Sequence, residues 1–285
     1  MPRHRAAEKE RVPVRSVSGE AGTRTHARRR DTGRMKQPPA SSTAAPIRLV
    51  GFDADDTLWR SQDYFDTAQL EFERIIGGYV DLRDARVHER LYDVEKGNLA
   101  LFGYGAKGMA LSMVEAGVEI TDARISARDL HRIVGLGKQL LRHPVELLPG
   151  IAEAVAAIAA DYEIVMITKG DLFHQEAKVR QCGLANLFRR IEIVSEKDAG
   201  TYARVLEEFA LPASQFVMIG NSLRSDIAPV LDLGGWGIHM PYHITWAHEN
   251  EAEIAVDAPR LRRVASAAEL PRAIADVARA SEARS

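Results

Sequence analysis

Ile47-Arg48-Leu49-Val50-Gly51-Phe52-Asp53-Ala54-Asp55-Asp56-Thr57-Leu58-Trp59 is the stretch on which the reading of this chain turns. Its first six residues form a short, largely apolar run that reads as a buried strand. The strand runs directly into acid. On an extended segment, residues i and i+2 point the same way, so Asp53 and Asp55 are expected on one face. Two carboxylates held that close repel unless a cation or a proton lies between them. A hard divalent cation such as Mg²⁺ takes oxygen ligands and commonly leaves room for a substrate phosphate. The pair can also divide labour, one carboxylate attacking a phosphoryl centre and the other moving protons.

Working outward, four more apolar runs follow, at Glu163–Ile167, Ile191–Val194, Gln215–Ile219 and Trp236–Met240. Helical patterns separate them at about 150–160, 172–182, 200–210 and 224–233, and a last helix is expected at about 267–281. Strands alternating with helices imply crossover units, and hence an α/β fold with a doubly wound parallel sheet. Ligands in such sheets bind beyond the carboxyl ends of the strands. Residues 63–146 break the alternation. They show helical periodicity around Leu70–Ile76, Met109–Val114 and Leu130–Leu141, punctuated by Gly103-Tyr104-Gly105 and Gly117. We read them as an all-helical subdomain inserted into a core made of residues 46–62 and 147–285.

The chain has 285 residues, 46% hydrophobic and 27% charged, an ordinary balance for a globular protein. The net charge of −2 conceals an asymmetry. Residues 1–40 carry 11 Lys and Arg against 4 Asp and Glu, a net of +7, which leaves the remainder at −9. Residues 1–45 hold few large apolar side chains and are expected to form a disordered basic extension. The acidic remainder gives no reason to expect nucleic-acid binding. The single cysteine, Cys182, rules out an intrachain disulfide and fits a reducing, cytoplasmic compartment. No apolar run is long enough to span a membrane.

The first motif resembles the Asp-x-Asp-x-Thr signature of the haloacid dehalogenase superfamily, with Asp53, Asp55 and Thr57 matching position by position. Thr168, closing the second strand, matches the superfamily's Ser/Thr motif. Lys197, after the third, matches its lysine, although the usual Lys-Pro pair reads Lys197-Asp198; Lys169 is the alternative. The last motif, usually Gly-Asp with a second Asp a few residues on, reads Gly220-Asn221 with Asp226. The helical insert directly after the first motif is similar to the first class of cap in this superfamily.

The resemblance implies a Mg²⁺-dependent phosphomonoester hydrolase acting on a small phosphorylated metabolite. Asp53 would be the nucleophile and Asp55 the general acid and base. Thr57 would help hold Asp55 and the local turn, and Thr57, Thr168 and Lys197 would form the phosphate-binding set, the last two on the phosphoryl oxygens. The metal would be held by Asp53, Asp55 and either Asn221 or Asp226. Asp55 argues against dehalogenation, because dehalogenases of the superfamily lack that acid. A phosphosugar mutase and a binding protein using the basic tail are the alternatives. His239, His243 and His248 match no zinc spacing. The 241–246 loop and the Gly103–Gly108 loop are candidates for contacts near the substrate.

Overall fold

The computed structural model describes residues 14–17, 47–250, 254–255 and 258–283. Its sheet is parallel throughout. Strands β1 (Val14–Val17), β2 (Leu49–Phe52), β3 (Glu163–Lys169), β4 (Arg190–Val194), β5 (Phe216–Gly220), β6 (Trp236–His239) and β7 (Leu261–Arg263) lie in the order β1-β4-β3-β2-β5-β6-β7. β2, which carries the acidic motif, is central, hydrogen-bonded to β3 on one side and β5 on the other. A strand buried on both faces needs apolar residues at every position, and Leu49–Phe52 is fully buried.

The two faces of the sheet sort the side chains. Val50, Phe52, Met166 and Ile219 join the cluster under α5 (Ile151–Asp161), α6 (Leu172–Gln181) and α9 (Leu270–Glu282). Leu49, Val165, Ile167 and Met218 join the opposite cluster under α7 (Ala199–Glu208) and α8 (Ala228–Asp232). Gly51 is required between them, since a Cβ there would lie 2.6 Å from the Phe216 ring. Asp171 caps α6 by accepting from the His174 amide at 2.9 Å, and Asp198 caps α7 through the Thr201 amide at 2.7 Å.

Between β2 and α5 come four helices, α1 (Gln62–Ile76), α2 (Val87–Phe102), α3 (Ala106–Ile120) and α4 (Ala127–Arg142). They close on their own core of Phe72, Ile76, Leu91, Met113 and Ile133. The two connections to this cap run side by side: Arg60 donates to the Glu146 carbonyl and Leu148 to the Leu58 carbonyl, both at 2.9 Å.

Four elements differ from the sequence reading, one of them β7, a short edge strand that no apolar run announces. The cap has a fourth helix, α2, which buries only Val87, Leu91 and Asn98 and so lacks a strong apolar stripe. The helix expected at 224–233 begins as a π-helical turn, Leu223–Ile227, before α8. Within the extension expected to be disordered, Val14–Val17 pairs in register with Ile191–Val194 as an edge strand. An open sheet edge offers unpaired backbone groups, and a short segment with valines at its ends can fill it. The rest of that extension lies outside the described residues.

Candidate active site

Asp53 follows the last residue of β2, and its backbone N–H still donates to the Ile219 carbonyl at 2.9 Å. The chain then turns tightly. Leu58 donates to the Ala54 carbonyl at 2.8 Å, and Asp56 takes a positive φ of 62°. The Asp56 carboxylate accepts from the amides of Ser61 (2.8 Å) and Gln62 (3.0 Å), so it supplies the N-terminal cap of α1 that Ser61 does not. Burial pushes Asp56 up to about 7. The acidic motif thus positions the first cap helix as well as the site.

Asp53 is buried at the centre. One carboxylate oxygen pairs with the Lys197 ammonium and the other accepts from Thr57 Oγ1 at 3.0 Å. Lys197 Nζ also donates to Asp226 Oδ1 at 2.7 Å. Asp226 is fixed in turn, its Oδ2 accepting from the Ser222 amide at 3.0 Å. Burial pushes Asp53 up to about 7, with Lys197 acting against it. Lys197 is itself held well above its ordinary range: burial works against its charge, and the carboxylates of Asp226 and Asp53 outweigh it. Two carboxylates thus face one ammonium, which keeps Lys197 charged.

Asp55 has a different set of partners. Its Oδ1 accepts from Lys178 Nζ and Trp59 Nε1, both at 2.6 Å, and its Oδ2 from Gln175 Nε2 at 2.9 Å. Burial would raise this carboxyl, but the Lys178 ammonium and these hydrogen bonds hold it below the ordinary range. Asp53 and Asp55 line one cavity, yet each has its own lysine. The sequence motifs include Lys197 but not Lys178, which lies one helical turn after Gln175 on α6. That i, i+3 spacing, following the Thr168 strand end, was its only signal.

Thr168 is fully buried, with Oγ1 accepting from Gln175 Nε2 at 2.9 Å. Gln175 Oε1 is buried without a partner. The Asn221 amide sits with one terminal atom 3.2 Å from Asp53 Oδ2, 3.3 Å from the Asp55 carbonyl oxygen and 3.3 Å from Thr57 Oγ1. With nitrogen there, it donates to all three. With oxygen there, a carboxylate, a carbonyl and an amide oxygen converge, which a hard cation would reconcile. Among the described residues no three His, Cys, Asp or Glu side chains form a metal cluster. The oxygen set here consists of one carboxylate, one backbone carbonyl and one amide.

Lys169, the alternative lysine, faces Glu249 (2.5 Å) and Ser225 Oγ (2.9 Å) and not Asp53. Glu249 accepts from Ser222 Oγ at 2.5 Å and Ser225 Oγ at 2.6 Å, and sequence reasoning missed it because a loop brings it in. Ile244, Thr245 and Trp246 of the 241–246 loop line the cavity, as do Gly103, Tyr104, Gly105 and Gly108 of the cap loop. The histidines are dispersed: His239 pairs with the Asn221 carbonyl (2.9 Å), His243 with Asp63 (2.9 Å), and His248 lies beside Tyr104 (3.5 Å). The cavity, about 190 Å³, lies between core and cap with Asp53, Asp55, Thr168, Lys197, Asn221 and Asp226 among its lining residues.

Residues 47–234, from the strand before Asp53 to beyond Asp226, match the family model described as haloacid dehalogenase-like hydrolase. This chain belongs to that family. A haloacid dehalogenase-like family hydrolase from Xanthomonas campestris is 55% identical, over 84% of this chain and 95% of that one, with a TM-score of 0.76. Two more distant structures share the fold of this hydrolase. A 2-haloacid dehalogenase from Pseudomonas syringae is 20% identical over 81% of this chain and 99% of its own, with a TM-score of 0.54. The HAD-hydrolase YfnB of Bacillus subtilis, bound to magnesium, is 16% identical over 81% and 99%, with a TM-score of 0.56. No curated protein matches the chain. No helix among the described residues is long and apolar enough to cross a membrane.

Proposed function

We propose that this haloacid dehalogenase-like hydrolase is a Mg²⁺-dependent phosphatase of small phosphomonoesters, acting through an aspartyl-phosphate on Asp53. The observation that carries the reading is a second, separately held carboxylate, Asp55, lining the same cavity as the Lys197-paired Asp53. A dehalogenase has no leaving alcohol to protonate, and a phosphatase does.

Asp53 attacks the phosphorus atom, and the bond from phosphorus to the ester oxygen breaks. The departing oxygen takes a proton from the Asp55 carboxyl. Water then gives a proton to Asp55 and attacks the aspartyl-phosphate, releasing inorganic phosphate and restoring Asp53. The ion pair to Lys178 favours the carboxylate form of Asp55, which the second step needs. The acid form becomes favoured when a negative phosphoryl group enters beside it and competes for the ammonium. Thr168 Oγ1 and Lys197 Nζ are donors to the phosphoryl oxygens.

The residues fit a hard cation. Asp53, the Asp55 carbonyl and Asn221 would hold it, while Asp226 is committed to Lys197 and the Ser222 amide. Bound there, Mg²⁺ would offset the charge of the transferred group. The buried Cys182 accords with a cytoplasmic setting. Phosphate release from a panel of small esters, with and without Mg²⁺, tests the reading. Wild type should release phosphate only with the metal, and Asp53→Asn should release none. Undiminished release by Asp53→Asn would refute the mechanism, and phosphate retained on a sugar would favour a mutase.

A further inference from the structure

Resting on the phosphatase reading, we propose that the cap selects esters whose leaving alcohol carries hydrogen-bond donors, hydroxyl or ammonium, and excludes those carrying a second acid. The argument is an inventory of what the cavity wall has left to offer.

The cap side of the cavity is built from α1, α2 and α3. Three amides line it, and each has its NH₂ group tied to another cap side chain. Gln62 Nε2 donates to Asp66 at 2.8 Å. Gln69 Nε2 contacts Glu73 at 3.3 Å and His88 at 2.6 Å. Asn98 Nδ2 donates to Ser112 Oγ at 3.2 Å and Glu115 at 2.6 Å. That leaves three amide carbonyl oxygens, all acceptors, without partners among the described residues. Ser112 is spent as a donor too, on the Gly108 carbonyl at 2.9 Å.

Glu95 also lines this wall. No ion pair or hydrogen bond engages it among the described residues, and burial alone pushes its carboxyl up to about 7. An unpaired carboxyl in a partly buried site weakens the fold, so its place here is best explained by a ligand that supplies a donor or a positive charge. Gln175 Oε1, an orphaned acceptor on α6 beside Asp55, adds to the same deficit of donors.

The cations lie on the opposite wall and are taken. Lys197 serves Asp53 and Asp226, Lys178 serves Asp55, and Lys169 serves Glu249. His174 is kept neutral, burial foremost lowering it to about 4. Seven carboxylates (Asp53, Asp55, Asp56, Glu95, Asp171, Asp226 and Glu249) and three lysines line the cavity. A carboxylate or second phosphate on the leaving group would meet acceptors and acids with no free cation among the described residues. Volume sets the size: about 190 Å³ suits a leaving group of a few heavy atoms.

The test compares kcat/KM for three esters of similar size, glycerol 3-phosphate, phosphoethanolamine and phosphoglycolate, with p-nitrophenyl phosphate as a generic reporter. In wild type, the better of the first two should exceed phosphoglycolate at least tenfold. In Glu95→Lys that ratio should fall at least tenfold, and in Glu95→Gln the preference for phosphoethanolamine should shrink. A ratio read within one variant does not depend on how much of it is folded. Turnover of p-nitrophenyl phosphate together with equal or preferential use of phosphoglycolate would overturn this inference alone. No release from any ester, the reporter included, would overturn the phosphatase reading and this inference with it.

Discussion

Lys178 is where the two carboxylates of the proposed mechanism, Asp53 and Asp55, part company. Its side chain is 10% exposed and that of Asp55 30%, so the pair between them is partly, not fully, desolvated. Removing one member of a fully buried pair costs about 3–5 kcal/mol, and solvent access to Asp55 reduces that to about 1–2 kcal/mol here. Lys178→Met should therefore lower stability by that amount in urea titrations and cut kcat/KM more than tenfold. In an Asp55→Asn background the stability loss should largely vanish; an unchanged loss would mean that Lys178 acts through packing alone. Sequence reading found Lys197 and not Lys178, and the reason is physical. Lys197 stands at a strand end, where topology sends side chains to the site. Lys178 is a helical residue whose direction depends on how α6 packs. Asn221 was legible as a substitution in its motif, but the bond from Lys197 that ties up Asp226 and not Asn221 is a long-range contact that the sequence does not announce.

Glycines show how backbone elements hold these groups in place. At Gly220, the last residue of β5, a Cβ would overlap the Asp226 side chain that folds back from the π-helical turn. π-helical turns recur at functional sites because they re-aim a side chain. Gly220→Ala should therefore displace Asp226, loosen Lys197 and reduce phosphate release at least a hundredfold, with a stability loss of about 1–3 kcal/mol by thermal melts. Gly97, exposed within α2, meets nothing within 4 Å. Gly97→Ala should stabilise by about 0.5–1 kcal/mol and serves as the control. The contrast also explains which elements the sequence disclosed. Central strands buried on both faces are continuous apolar runs, so β2 to β6 were legible. β1 and β7 are short edge strands without such a run, and α2 turns most of its surface to solvent or to the cavity.

The cap, a second hydrophobic core placed over the site, links folding stability to substrate choice through Glu95. Its carboxyl titrates at about 7 in the folded protein against an ordinary value of 4.5. Below pH 4.5 the group is protonated in both folded and unfolded chains and contributes nothing. Between pH 4.5 and 7 the unfolded chain releases the proton while the folded protein keeps it. The unfolded state then binds fewer protons, so stability falls as pH rises through that window and levels off above it. The shift sets an upper limit of about 3 kcal/mol, which partial solvent access reduces to about 1–2 kcal/mol. Glu95→Gln should thus be indistinguishable from wild type near pH 4 and more stable by that margin at pH 8, measured as the difference between paired urea titrations. Asp53 and Asp56 titrate in the same range but are common to both proteins, so the difference isolates Glu95. A variant that is more stable at pH 8 yet poorer with donor-bearing esters would mark Glu95 as a group kept for binding at the expense of the fold. A variant no more stable at pH 8 would mean that Glu95 already has a compensating partner in solution, and the donor deficit of the cap would then rest on its three amides alone.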